Sequence, residues 1–271
     1  MLNIKSKECL KKEPEIKMII TLLGTGTSHG VPVLGCNCAT CTSKDPFDNR
    51  TRSSVYVQVG DVHILIDTAT EMRLQTIQNK VPRIDFVLMT HNHADHVCGF
   101  DDLRRFSELQ ASEIPVYGNE TTLKGITGMF PYIFDNKIHI GGGIPRICLK
   151  EINLPFEAAG IKVTPIPVFH GPLGILGYRI GDFAYVTDCS HIPEESLVLL
   201  KNLKLLILGV LRFKPHPTHF NLEQGLKIIQ ILKPAHSILT HIAHDFKHRE
   251  VNLLLPDDVE LGYDGQRVEI Y

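Results

Sequence analysis

One short stretch constrains this chain more than any other. The apolar run IDFVLMT gives way at once to HNHADH, which places His91, His93, Asp95 and His96 within six positions. In an extended segment alternate side chains share a side, so His91 and His93 can grip one ion together. Asp95 and His96 follow where the chain turns and can reach a second ion. Packing has no use for such density, because each polar side chain taken into a core needs its own partner.

Two ions need more ligands than these. His170 ends TPIPVFH, Asp188 ends FAYVTD and His241 ends HSILTH, all strand-like runs. A carboxylate can bridge two ions about 3.5–4 Å apart. The expected sets are His91, His93, His170 and Asp188 around one ion, and Asp95, His96, Asp188 and His241 around the other. Imidazole and carboxylate suit zinc, manganese or iron.

The rest of the chain reads as a scaffold for strand ends. Two blocks each open with hairpin-like runs (SSVYVQVGDVHILIDT in the first; GIKVTPIPVFHG and LGYRIGDFAYVTDCS in the second) and close with a helix. Leu222, Leu226, Ile229 and Leu232 share one face of NLEQGLKIIQILK, with Asn221 placed to cap it. The pattern implies two sheets packed face to face with helices outside, an α/β fold. Residues 119–150 read as irregular, and VELGYDGQRVEIY as a closing hairpin turning at Asp264-Gly265. Residues 1–17 form a polar, lysine-rich extension, and 18–271 one domain.

Composition narrows the function. A net charge of −2 and a pI near 6.7 give no basic stripe for a nucleic-acid polymer. No run approaches the ~20 apolar residues that cross a bilayer. Seven cysteines, three of them clustered, do not make a secreted disulfide framework. The expectation is a cytoplasmic protein that meets no membrane and has thiols available for metal. Cys36, Cys38 and Cys41, in GCNCATC, look like most of a zinc site that wants a fourth ligand; a redox or iron–sulfur cluster is the alternative. Cys9, Cys98, Cys148 and Cys189 read as plain thiols.

The order His-x-His-x-Asp-His, then His, Asp and His, resembles the metallo-β-lactamase superfamily of hydrolases, over nearly the whole chain from about residue 18. The resemblance implies a four-layer αβ/βα sandwich with metals at the edge between the sheets. It also implies that Asp67, closing HILID, holds the histidine loop in place. Within the superfamily, GTGTSHGVPVLGCNCATC, THNHADHV and LTHIAHDF are similar to the phosphoribosyl cyclic phosphate phosphodiesterases of the carbon–phosphorus lyase pathway. That likeness supplies the missing ligand: His244, three residues after His241, would complete a structural zinc site with Cys36, Cys38 and Cys41. Relatives are often dimers, so a homodimer is the expectation.

The reaction implied is hydrolysis of a small phosphodiester, a cyclic ribose phosphate or cyclic nucleotide, by water activated between two ions of manganese or zinc. Asp95 and Asp188 would serve that chemistry as well as hold metal. By the resemblance, His219 in HPTHFNLEQ assists the substrate or leaving group, as a general acid. Thr27 and Ser28 in GTGTS resemble a phosphate-cradling turn near the metals, and Arg212 is a phosphate-binding candidate; His216 is a weaker one. The same ligands would serve a thioester or lactone hydrolase. An endonuclease trimming tRNA ends lacks an RNA-binding arm here, and a scaffold without chemistry would lack ligands that are all present.

Overall fold

The computed structural model describes residues 17–135 and 143–271. Residues 1–16 of the polar extension, with Cys9, and His139 lie outside the described residues. Strands β1 (Met18–Gly24), β2 (Ser54–Val59), β3 (Val62–Ile66), β4 (Phe86–Leu88), β5 (Ile114–Gly118), β6 (Ile147–Glu151), β7 (Phe156–Ala158), β8 (Ile161–His170), β9 (Leu173–Ile180), β10 (Phe183–Val186), β11 (Leu205–Gly209), β12 (His236–Thr240), β13 (Val259–Leu261) and β14 (Arg267–Ile270) divide between two seven-stranded sheets. Their spatial orders are β14-β1-β2-β3-β4-β5-β6 and β13-β12-β11-β10-β9-β8-β7.

Both faces of each sheet are covered, which is why the central strands are apolar throughout rather than alternating. The period of two survives as a choice between two cores. Ile20, Val55, Val57, Ile64 and Ile66 of the first sheet meet Tyr178, Phe183, Leu205, Ile207 and Ile238 of the second in the middle layer. Their neighbours Tyr56, Leu65, Val87 and Val116 turn outward to Met72, Leu103 and Ile126. Those three lie on α1 (Met72–Gln78), α3 (Leu103–Leu109) and α4 (Glu120–Met129). On the far side Leu206, Leu208 and Leu239 pack beneath Ile229 and Leu232 of α7 (Leu222–Leu232) and Val251 of α8 (His248–Asn252). Each fully buried side chain of this size contributes roughly 1.5–3 kcal/mol. The result is the expected four-layer αβ/βα sandwich, the metallo-β-lactamase fold.

In each sheet one half is parallel: β3 to β6, and β10 to β13. Parallel strands bring their C-terminal ends to one edge, where α/β proteins build sites. Asp67 directly follows β3, His170 closes β8, and His241 directly follows β12. Asn221 caps α7 through a reciprocal box with Gln224, as expected.

Two local expectations fail. The described part of 119–150 is not irregular: it holds α4, the short α5 (Pro131–Phe134) and most of β6, while 136–142 lie outside the described residues. The Asn119 side chain accepts from Thr122 N–H at 2.8 Å to start α4, overriding a run rich in threonine and glycine. Gly125 serves proximity, since a Cβ there would lie 2.0 Å from Asn92 Nδ2. The final strands are not a hairpin either. β13 pairs parallel to β12 in one sheet, and β14 antiparallel to β1 in the other. Asp264 works across the fold instead, accepting from the N–H and hydroxyl of both Thr25 and Thr51 at 2.6–2.9 Å.

Candidate active site and a second metal-competent cluster

The strand ends assemble the residues of the opening motif around Asp188. Its Oδ1 lies 3.0 Å from His241 Nδ1 and 3.3 Å from His96 Nε2. Its Oδ2 faces the other way, 3.9 Å from His91 Nε2 and 4.0 Å from His219 Nδ1. Ligand atoms of Asp95, His96, Asp188 and His241 all lie within 4.8 Å of one another, as do those of His91, His93 and His170, and those of His170, Asp188 and His219. The two sets expected from sequence are thus brought together, with Asp188 between them. Asp67, Asp188 and His241 hold left-handed backbone, φ 62°, 51° and 57°. These kinks fall just beyond β3, β10 and β12 and break the strand alternation there.

Outer contacts fix the rings. Asp67, fully buried, accepts from Thr90 N–H, from the Thr90 hydroxyl and from His96 Nδ1–H, each at 2.8 Å. The same Thr90 hydroxyl oxygen accepts from His91 Nδ1–H at 3.0 Å. His170 Nδ1–H donates to the Thr218 carbonyl at 2.7 Å. Each contact leaves Nε2 of its ring free for a ligand role. Thr90 and Thr218 had no sequence signal beyond standing beside histidines.

The donor set fits divalent cations. His91 Nε2, His96 Nε2 and His241 Nδ1 are buried without a hydrogen-bond partner among the described residues, and all converge on Asp188. Orphaned nitrogens of this kind are costly unless something is bound to them. Burial pushes His91 and His241 down, towards neutral imidazoles that present lone pairs. Burial opposes charge on His96 too, but Asp188, Asp95 and Asp67 outweigh it and raise its pKa. Against the cost of burial, the nearby histidines hold Asp95 and Asp188 low, as carboxylates that favour a cation.

His219 stands at the cleft, its ring 4.5 Å from that of His170 and 5.0 Å from those of His216 and His241. Burial, then the nearby His241, pushes its pKa down to about 3. It is therefore neutral at pH 7 and offers a hydrogen bond rather than a standing positive charge. His93, exposed, marks the open side.

The residues expected at the substrate sit differently. Thr27 is buried, and its hydroxyl lies 3.1 Å from His241 Nε2, behind the cleft. Ser28 is exposed, and its carbonyl accepts from Arg52 Nε. Arg212 donates to the carbonyls of Lys214 and Pro215, bracing its own loop. His216 Nδ1 accepts from Thr218 N–H.

A second cluster lies beside the first. Cys36, Cys38 and Cys41 place their sulfurs 3.3, 3.5 and 3.4 Å from His244 Nδ1. One ring nitrogen has a single proton or lone pair and cannot serve three thiols. A tetrahedral zinc with its usual bond lengths separates sulfur from nitrogen by about 3.6 Å. The four groups fit that arrangement with no open position.

The comparisons agree with the fold. Residues 63–242 match the family model described as the Beta-lactamase superfamily domain. A solved diphosphatase from the PhnP family is 40% identical, with a TM-score of 0.88, covering 94% of this chain and 98% of that one. Zinc-bound PqqB from Methylobacterium extorquens shares the fold at 18% identity and a TM-score of 0.75, covering 93% and 100% of the two chains. An octanoyltransferase of Porphyromonas gingivalis is 38% identical over 90% of this chain, which spans only 50% of that protein.

Proposed function

Because the chain belongs to the β-lactamase superfamily and is a metal-dependent hydrolase of the metallo-β-lactamase fold, we propose that it cleaves a small phosphodiester, a cyclic ribose phosphate or cyclic nucleotide. His91, His93, His170 and Asp188 Oδ2 would hold one divalent ion, and Asp95, His96, Asp188 Oδ1 and His241 another, manganese or zinc. When bound, such a pair supplies a nucleophile from water at neutral pH and neutralises phosphoryl oxygens. The chain's own residues do the rest. Asp67, directly and through Thr90, keeps His96 and His91 aimed, and Thr218 does the same for His170. A phosphate anion in the cleft would favour the protonated form of His219, which then gives one proton to the leaving oxygen and returns to the neutral ring.

The observation that carries this reading is the division at Asp188, one carboxylate oxygen facing each set of nitrogens. Phosphorus is favoured over carbonyl carbon by the full-length likeness to a protein described as a diphosphatase. A structural zinc at Cys36, Cys38, Cys41 and His244 belongs to the same reading, as do a homodimer and a small phosphorylated substrate rather than a nucleic-acid polymer. The cytoplasm, where cysteines stay reduced and available to metal, belongs to this reading too. No helix among the described residues is long and apolar enough to cross a membrane.

A thioester or lactone hydrolase is the second reading, because the same set of nitrogens and carboxylates around Asp188 would serve attack on a carbonyl carbon. The deciding experiment is hydrolysis of bis(p-nitrophenyl) phosphate by metal-stripped protein reloaded with manganese or zinc. Metal-dependent turnover that His93→Ala abolishes supports the phosphodiesterase and leads to a screen of cyclic ribose phosphates, cyclic nucleotides and diphosphates. Bound metal without turnover of any phosphoester, but with thioester cleavage, refutes it.

A further inference from the structure

Thr27 touches the candidate metal site from behind. Its hydroxyl, 6% exposed as a residue, sits 3.1 Å from His241 Nε2, while Nδ1 of that ring lies 3.0 Å from Asp188 Oδ1. An imidazole can present a lone pair at Nδ1 only when Nε2 carries the proton. An acceptor at Nε2 therefore selects the ligating tautomer and fixes the ring plane. Thr27 is that acceptor.

What holds Thr27 there is a double fastening of two segments remote in sequence. Ile242 N–H donates to the Thr25 carbonyl at 2.8 Å and Thr27 N–H to the Ile242 carbonyl at 3.2 Å, a parallel bridge centred on Gly26. Nine residues beyond Thr27 the same loop reaches Cys36, and with Cys38 and Cys41 it surrounds His244, two residues beyond Ile242. His241 stands next to the first fastening and three residues from the second.

We propose that the two metal centres are thermodynamically coupled through this loop. Metal in the cysteine–histidine cluster holds residues 25–41 against 240–244, and Thr27, carried on that loop, is the positioning residue that keeps His241 competent to bind the ion shared with Asp95, His96 and Asp188. This rests on the metal assignments proposed above. Coupling of this kind is reciprocal, so an ion at His241 also tightens the cysteine cluster.

The test titrates manganese, followed by electron paramagnetic resonance, into full-length protein whose cysteine cluster holds zinc. Thr27→Val keeps the side-chain shape and removes the acceptor. The expected result is one active-site ion bound about 10- to 100-fold more weakly, the scale on which an outer partner acts, with zinc content unchanged. Thr27→Ser, which restores the hydroxyl, returns to the parental affinity. Parental binding in Thr27→Val overturns the proposal, and so does equal damage from serine and valine, the mark of a packing role. Coupling is read by adding Cys36→Ser. The double variant should bind manganese no more weakly than the weaker single one, whereas independent, additive losses overturn the coupling. Should Cys36→Ser not fold, zinc affinity at the cysteine cluster of the parental protein, with and without manganese, reads the same coupling: an equal affinity overturns it. Failure of the underlying metal reading shows separately. Parental protein that binds no ion pair removes the dinuclear assignment, and cobalt-loaded protein without sulfur-to-metal absorption removes the cysteine site; either takes the proposal with it.

Discussion

The two metal-competent clusters stand side by side and are built on opposite plans. Asp95, His96, Asp188 and His241 are all buried, and the rings are held from outside by Asp67, Thr90, Thr218 and Thr27 before any ion arrives. Cys36, Cys38, Cys41 and His244 are half-buried. Their loop is mostly turns and bends, and the sulfurs receive two backbone N–H donors, from Val33 to Cys41 and from Cys41 to Cys38. The protein supplies the geometry of the first centre, while an ion would supply much of the geometry of the second. An ion should therefore matter most to chemistry in the first and most to folding in the second.

That contrast can be broken at three points. Asp188→Ala should abolish turnover, a loss well beyond the roughly 100-fold of an outer contact, while circular dichroism shows a folded protein; activity that persists would refute a bridging carboxylate. Cys38→Ala should remove one zinc per chain and lower Tm by more than about 10 °C, because binding energy at such a site is folding energy. A parental melting curve with the zinc gone would erase the distinction between the centres. The smallest effect is expected from Asp67→Asn. It should weaken active-site metal about 10- to 100-fold, since the amide cannot satisfy both Thr90 donors and His96. Zinc at the cysteines should be untouched, and a fall in both contents by metal analysis would mean that Asp67 supports the whole edge rather than the histidines.

The convergence was legible because metal chemistry demands rare residue types at strand ends: His91, His93, Asp95, His96, His170, Asp188 and His241 come together, as do the three cysteines and His244. Roles exerted through a neighbour were not legible. GTGTS reads as a phosphate turn, yet Thr27 faces a histidine 214 residues away, a contact no local pattern encodes. Thr90 and Thr218 were silent for the same reason. The layers followed from apolar runs, but Asp264-Gly265 misled. Its turn chemistry is real, yet the strands on either side find better neighbours in different sheets, and the carboxylate stitches Thr25 to Thr51. In α4, local propensity lost to the Asn119 cap and to the burial of Leu123 and Ile126.

The left-handed backbone at Asp67, Asp188 and His241 has an implication for anyone redesigning this molecule. Glycine is the residue those three positions would prefer on conformational grounds, by about 1 kcal/mol each. A search that scored backbone strain alone would be drawn to erase these residues, and at Asp67 it would strip Thr90 and His96 of their buried acceptor. Any attempt to transplant the site must carry the kinks along with the ligands, since a straight strand end would point the same side chains elsewhere.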